Sequence, residues 1–127
     1  MRTRKAKLIC LCTLIVCTLC SCGKLELKGK WNATFVIEKE RSYSIERHAK
    51  RLGRSLSDVK FTADFQDDGV LKAHYGGVDI SGTYSVSGDK VYVKLLESEE
   101  VWTLTEKDLR RQSNDFSEAV WVFEKED

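Results

Sequence analysis

From residue 29 onward the chain alternates apolar and polar side chains with a period of two, a pattern that suits half-buried strands and no helix. Trp31, Ala33, Phe35 and Ile37 share one parity, and Asn32, Thr34 and Glu38 the other. Val59, Phe61, Ala63 and Phe65 alternate with Lys60, Thr62, Asp64 and Gln66. Ile80, Gly82, Tyr84 and Val86 alternate with Ser81, Thr83, Ser85 and Ser87. Such strands put one face in a core and one in water, as antiparallel sheets allow. Turn-forming residues separate the runs at hairpin spacing: Asp67-Asp68-Gly69, Gly76-Gly77, Ser87-Gly88-Asp89, the acidic stretch 97–100, Glu106-Lys107-Asp108 and Ser113-Asn114-Asp115. They delimit eight strands, and hairpin joints make sequential strands antiparallel neighbours. The expected fold is all-β, an eight-stranded up-and-down meander that removes its edges by closing into a barrel. An open meander and a two-sheet sandwich are the alternatives.

One segment departs from the alternation. Between residues 42 and 57, Ile45, Ala49, Leu52 and Leu56 are spaced by four, three and four, which is a helical stripe. Ser42 or Ser44 can cap its start, and Gly53 weakens its last turn. The opposite face is basic, with Arg47, His48, Lys50, Arg51 and Arg54. This helix falls between the first and second strands, where it can cover one mouth of a barrel.

The first 28 residues are not part of that pattern. A basic head (Arg2, Arg4, Lys5, Lys7) precedes an uncharged apolar run over residues 8–19. Twelve helical residues rise about 18 Å, well short of the roughly 30 Å hydrocarbon core of a bilayer. This is the layout of an export signal. Leu19-Cys20-Ser21-Cys22 resembles the bacterial lipobox, which needs an aliphatic residue at −3, a small residue at −1 and a thiol at +1. The resemblance implies a signal peptide over residues 1–21, lipidation of Cys22, a short tether over 22–28 and a barrel domain over 29–127. Gly23 after the lipidated residue points to the outer membrane, facing either periplasm or exterior. Two or three acyl chains hold a protein stably on a bilayer.

Processing also decides the charge and the cysteine chemistry. The first 21 residues hold four of the 21 Lys and Arg and none of the 20 Asp and Glu, so the remaining 106 residues carry about −3 rather than +1. Nucleic acid therefore has no electrostatic claim as a partner. Cys10, Cys12, Cys17 and Cys20 leave with the signal and Cys22 is acylated, so no disulfide or thiolate metal site is expected.

Leu27-Lys28-Gly29-Lys30-Trp31 resembles the Gly-x-Trp opening of lipocalins and fatty-acid-binding barrels. Asp68-Gly69, the run Gly82-Thr83-Tyr84-Ser85-Val86-Ser87-Gly88-Asp89, Trp102-x-Leu104 and Phe123-Glu124-Lys125 resemble the small lipocalin-like lipoproteins of Bacteroidota. The resemblance spans about residues 25–127. It implies an up-and-down barrel that can hold a small apolar ligand, with Trp31 plugging the closed end. In lipocalins an Arg of the last strand packs over that Trp, and Lys125 is the nearest counterpart here.

The expected inward set is Trp31, Phe35, Phe61, Phe65, Tyr75, Tyr84 and Trp102, with Ala33, Ala63, Ala73 and Gly82 giving space back. Eight strands leave room either for side chains or for one small ligand, and sequence leaves both open. The two histidines, His48 on the basic helix face and His74 beside Lys72, are expected at the surface without ligand partners for zinc. Asp67-Asp68 lacks the oxygen-rich loop of a calcium site, and no Gly-x-Ser-x-Gly elbow is present. The expectation is a membrane-tethered module for a small apolar ligand, not an enzyme, without cofactor or metal. The alternative is a filled barrel that docks a protein partner through an outer patch such as Tyr92 and Leu96.

Overall fold

The computed structural model describes residues 26–112 and 119–126. The segment 1–21, Cys22, residues 23–25 of the tether and the expected turn at 113–115 lie outside the described residues. Nine strands and two short helices run in the order β1 (Gly29–Glu38), β2 (Arg41–Ser44), α1 (Ile45–Arg51), α2 (Leu56–Val59), β3 (Phe61–Phe65), β4 (Val70–Tyr75), β5 (Val78–Ser87), β6 (Lys90–Leu95), β7 (Ser98–Leu104), β8 (Leu109–Gln112) and β9 (Val120–Lys125). Each strand from β3 to β9 pairs antiparallel with the next. β1 pairs with β3 on one side and β9 on the other, closing an eight-stranded barrel. β2 is an additional short strand folded back on β1.

Strand direction sorts the barrel into two ends. The start of β1 and the β3–β4, β5–β6 and β7–β8 turns make a floor. α1, α2, and the β4–β5 and β6–β7 turns make a roof. At the floor, Trp31 is fully buried and its Nε1 donates to the Leu27 carbonyl at 2.7 Å. Lys125 Nζ stands 5.8 Å from the Trp31 ring centroid and donates to the Glu26 carbonyl, the packing expected of the last strand.

Two strands bend to close the barrel. In β5, Gly82 pairs with Leu71 on one side and Leu95 on the other. A Cβ there would stand 2.1 Å from the Lys94 carbonyl oxygen and 2.8 Å from Leu95 Cδ2, so only glycine allows that approach. In β1 the pairing with β9 slips, with Val122 opposite Phe35 but Phe123 opposite Ala33. One extra residue on β1 forms a bulge, which reverses the facing of the residues beyond it. Trp31 and Ala33 point inward, then Val36 does, and Phe35 is turned out at 39% exposed. The inward assignment of Phe35 is therefore corrected.

The helical segment differs from the single helix expected over 42–57. Residues 41–44 pair as β2, and Ser44 caps α1, its Oγ accepting from Arg47 N at 3.2 Å. Gly53 at φ +67 ends that helix, and only one further turn forms at α2. The buried face is Ile45, His48 and Ala49, while Leu52 and Leu56 are exposed. The stripe is rotated from the expected one so that His48 meets Trp121, with the two ring planes 82° apart.

Candidate functional site

The barrel interior divides into a packed lower half and a roofed upper half. In the lower and middle part, Phe65, Trp102 and Phe123 are fully buried together with Trp31 and Leu71. Trp102 stacks on Phe123 at 5.2 Å with 17° between planes and meets Phe65 edge-on at 5.9 Å. Tyr84, expected inward, packs its ring against Phe65 at 5.0 Å and donates its hydroxyl to the Gln66 carbonyl at the floor. No acyl chain can thread this part without displacing those rings, since interiors at native density leave few voids larger than a water.

The upper half is built differently. Phe61 at the start of β3 and Tyr75 at the end of β4 lie 5.1 Å apart. Trp121 of β9 completes the group, 5.6 Å from Phe61 and 5.7 Å from Tyr75. Tyr75 has the inward parity of Leu71 and Ala73, yet at the end of β4 it is 37% exposed, so solvent reaches its ring at the rim. His48 of α1 seals the other side, its ring 5.5 Å from that of Trp121 and near perpendicular to it. The expectation of a surface His48 is corrected: it is 7% exposed, and among the described residues its Nδ1 has no hydrogen-bond partner. His74 lies on the outer face, 2.7 Å from Asp79.

Inside the same half is a polar pair. Glu100 shares the parity of Trp102 and Leu104 on β7, and Arg111 that of Leu109 on β8, so both side chains point inward. Arg111 Nε and Nη2 donate to the two Glu100 oxygens at 2.7 and 3.1 Å, a bidentate fork. Trp102 Nε1 adds a bond at 2.8 Å and Ser98 Oγ one at 3.3 Å. The Glu100 and Arg111 side chains are 7% and 19% exposed. Burial pushes the Glu100 carboxyl up, but the bonds from Arg111 and Trp102 outweigh it and hold the group below its ordinary value. The Arg111 guanidinium also lies 5.5 Å from the Phe61 ring centroid.

The expected inward residues Trp31, Phe61, Phe65, Tyr84 and Trp102 thus line the interior, and Tyr75 stands at its mouth. Sequence reasoning missed Trp121, Phe123, Glu100, Arg111 and His48. The first two sit in the run Val120-Trp121-Val122-Phe123, where unbroken apolarity hides the parity. Glu100 was assigned to a turn, although its spacing of two from Trp102 marked it as inward.

A third feature lies outside the barrel. On the β5–β7 surface a groove of about 490 Å³ is lined by Thr83, Ser85, Tyr92, Lys94, Glu99 and Val101, among others. Tyr92 and Val101 are cross-strand partners there, each about half exposed.

Comparison with protein-family models and with curated proteins finds no match. Solved structures do resemble the chain. A lipocalin-like protein from Bacteroides uniformis superposes with a TM-score of 0.52 at 19% identity, covering 79% of this chain and 98% of that one. A DUF4847 family protein from Bacteroides vulgatus gives a TM-score of 0.52 at 14% identity, covering 79% and 95%. The chain therefore has a lipocalin-like barrel fold, as its Gly-x-Trp opening and hairpin spacing led us to expect.

Proposed function

We propose that the protein is a lipid-anchored envelope module that takes a small, largely apolar ligand in the upper half of its barrel, not along the whole axis. The observation that carries this reading is Tyr75, an inward-facing aromatic side chain that solvent reaches. It stands beside Phe61 and Trp121 and under the roof formed by α1. The aromatic walls suit an apolar ring or short chain. The Glu100–Arg111 fork adds a fixed polar group beside the Phe61 ring, and apolar walls with a few fixed polar groups are the combination that small-molecule sites use. The packed rings below set the depth and argue for a compact ligand. Binding, not catalysis, is the role assigned.

The lipobox-like Leu19-Cys20-Ser21-Cys22 supports export, cleavage and acylation, and Gly23 favours the outer membrane. Cys22 is five residues before Leu27, which is buried at the floor, so the link spans at most about 18 Å. Anchoring there would hold the floor toward the bilayer and turn the roofed mouth away from it. Replacing Cys22 by Ser should abolish incorporation of labelled palmitate and release the protein from membranes. Undiminished labelling would refute the anchor.

Native mass spectrometry of protein released from the envelope without detergent tests the ligand. An extra mass that disappears on denaturation, and is lost with Tyr75→Ala, is expected. An empty protein that also refuses a fluorescent fatty-acid probe would overturn the reading. The outer groove at Tyr92 and Val101 supports the second reading, docking of a protein partner. In that case Tyr92→Ser would abolish co-purification of the partner without affecting any bound small molecule.

A further inference from the structure

The roof helix α1 carries a polar side chain on the face that seals the barrel. Ile45 and Ala49 would seal an aromatic rim by themselves. Between them His48 is turned inward, 7% exposed, edge-on to Trp121, with Nδ1 unpartnered. A buried imidazole tolerates that position as a neutral ring, whereas its cation would lose hydration there, and among the described residues no acceptor stands at Nδ1.

α1 is joined directly to β2 on one side and to the exposed segment 52–58 on the other. Ser44 caps one end, and at the other Gly53 adopts φ +67 with open space where a Cβ would be. Residues 50–58 are all exposed. α1 contributes no rung to the barrel ladder, so lifting it breaks none of the eight strand pairings.

We propose that α1 is an acid-released lid: protonation of His48 undocks it from Trp121 and opens the upper barrel. This rests on the reading of that space as the binding site. Burial lowers the affinity of His48 for a proton; the Glu38 carboxylate on β1 opposes that effect and the Arg51 guanidinium on α1 reinforces it. Among the described residues those are the charged groups acting on it, and they are bridged to each other at 2.9 Å. β9 meets it with the uncharged Trp121.

The sign comes from linkage. An undocked imidazole titrates near its ordinary 6.5, while the docked one binds its proton only at lower pH. The docked state is therefore fully favoured above 6.5. Below it, the ratio of undocked to docked lid rises by up to about tenfold per pH unit until the docked form titrates too.

Hydrogen exchange on the full-length protein, as processed and purified from a bacterial host, tests this at pH 7.5 and 5.5. Protection factors corrected for intrinsic exchange should fall up to about tenfold in residues 46–52, while β4 and β6 hold theirs. His48→Gln and His48→Phe, which cannot titrate, should each make α1 protection independent of pH. Unchanged α1 protection in the wild type, or the same fall in either variant, would overturn the proposal. Probe uptake measured in parallel separates the two ideas. An acid-opened α1 with no uptake of a fluorescent fatty acid at either pH supports the lid and refutes the ligand site. Uptake with an α1 indifferent to pH does the reverse.

Discussion

Replacing Arg111 by Met tests whether the upper barrel is built around a compensated charge. Arg111 supplies two of the four hydrogen bonds to Glu100, at 2.7 and 3.1 Å, and all of its opposite charge. Met fills much of the same volume and leaves the carboxylate buried, held only by Trp102 and Ser98. Removing one partner of a buried pair costs about 3–5 kcal/mol. The two surviving bonds place this case near the lower figure. Against a typical stability of about 5–15 kcal/mol, that is a large loss. Its pH dependence is the more specific signature. In the wild type Glu100 is held below its ordinary value, so its contribution is present above about 4.5 and is lost on further acidification. In the variant, burial dominates and raises the carboxyl. The folded state then binds the proton more readily than the unfolded chain. The gap between variant and wild type should shrink as pH falls from 7 toward 4.5, by at most about 1.4 kcal/mol per unit. Taking the difference cancels the opposite trend from His48, which both proteins share. Urea unfolding at pH 7, 6 and 5 provides the measurement. A loss below about 1 kcal/mol at pH 7, or a gap that widens on acidification, would refute an inward, paired Glu100.

Other substitutions test the architecture. Phe123→Ala removes a ring stacked on Trp102 and should cost about 3–5 kcal/mol in urea unfolding. Phe35→Ser, on the outer side of the bulge, should stay within about 1 kcal/mol of wild type; equal losses would place Phe35 inside. Gly82→Ala forces a methyl group against the Lys94 carbonyl and should cost at least the upper end of the roughly 1–3 kcal/mol of overpacking. Thermal unfolding within a degree or two of wild type would contradict that strand approach. Ser44→Ala removes the α1 cap at a cost of about 1 kcal/mol, expressed locally as faster exchange of α1 amides with barrel protection unchanged.

The features legible ahead of the structure were local ones. Alternation within one strand and a Gly-containing turn after it depend on a few consecutive residues, so the eight-strand meander, its hairpin order and Trp31 as floor were legible. The features that make the upper barrel distinctive depend on pairs remote in sequence. The bulge that ejects Phe35 exists because β1 and β9, some 90 residues apart, differ by one residue in pairing length. Nothing within Trp31–Val36 reports it. The rotation of α1 onto His48 depends on Trp121 of the remote strand β9, and a stripe counted along one helix weighs a histidine as polar. Glu100 and Arg111 were overlooked for a different, local reason: each looks like a surface charge until the parity of its own strand is extended by two residues. Polar residues that break a binary pattern lower the stability of a generic barrel, and a sequence keeps them where something other than stability is served. Three of them, His48, Glu100 and Arg111, lie toward the end of this barrel where Tyr75, of inward parity, is exposed. That convergence is the reason to look for a ligand under α1 before looking on the outer sheet.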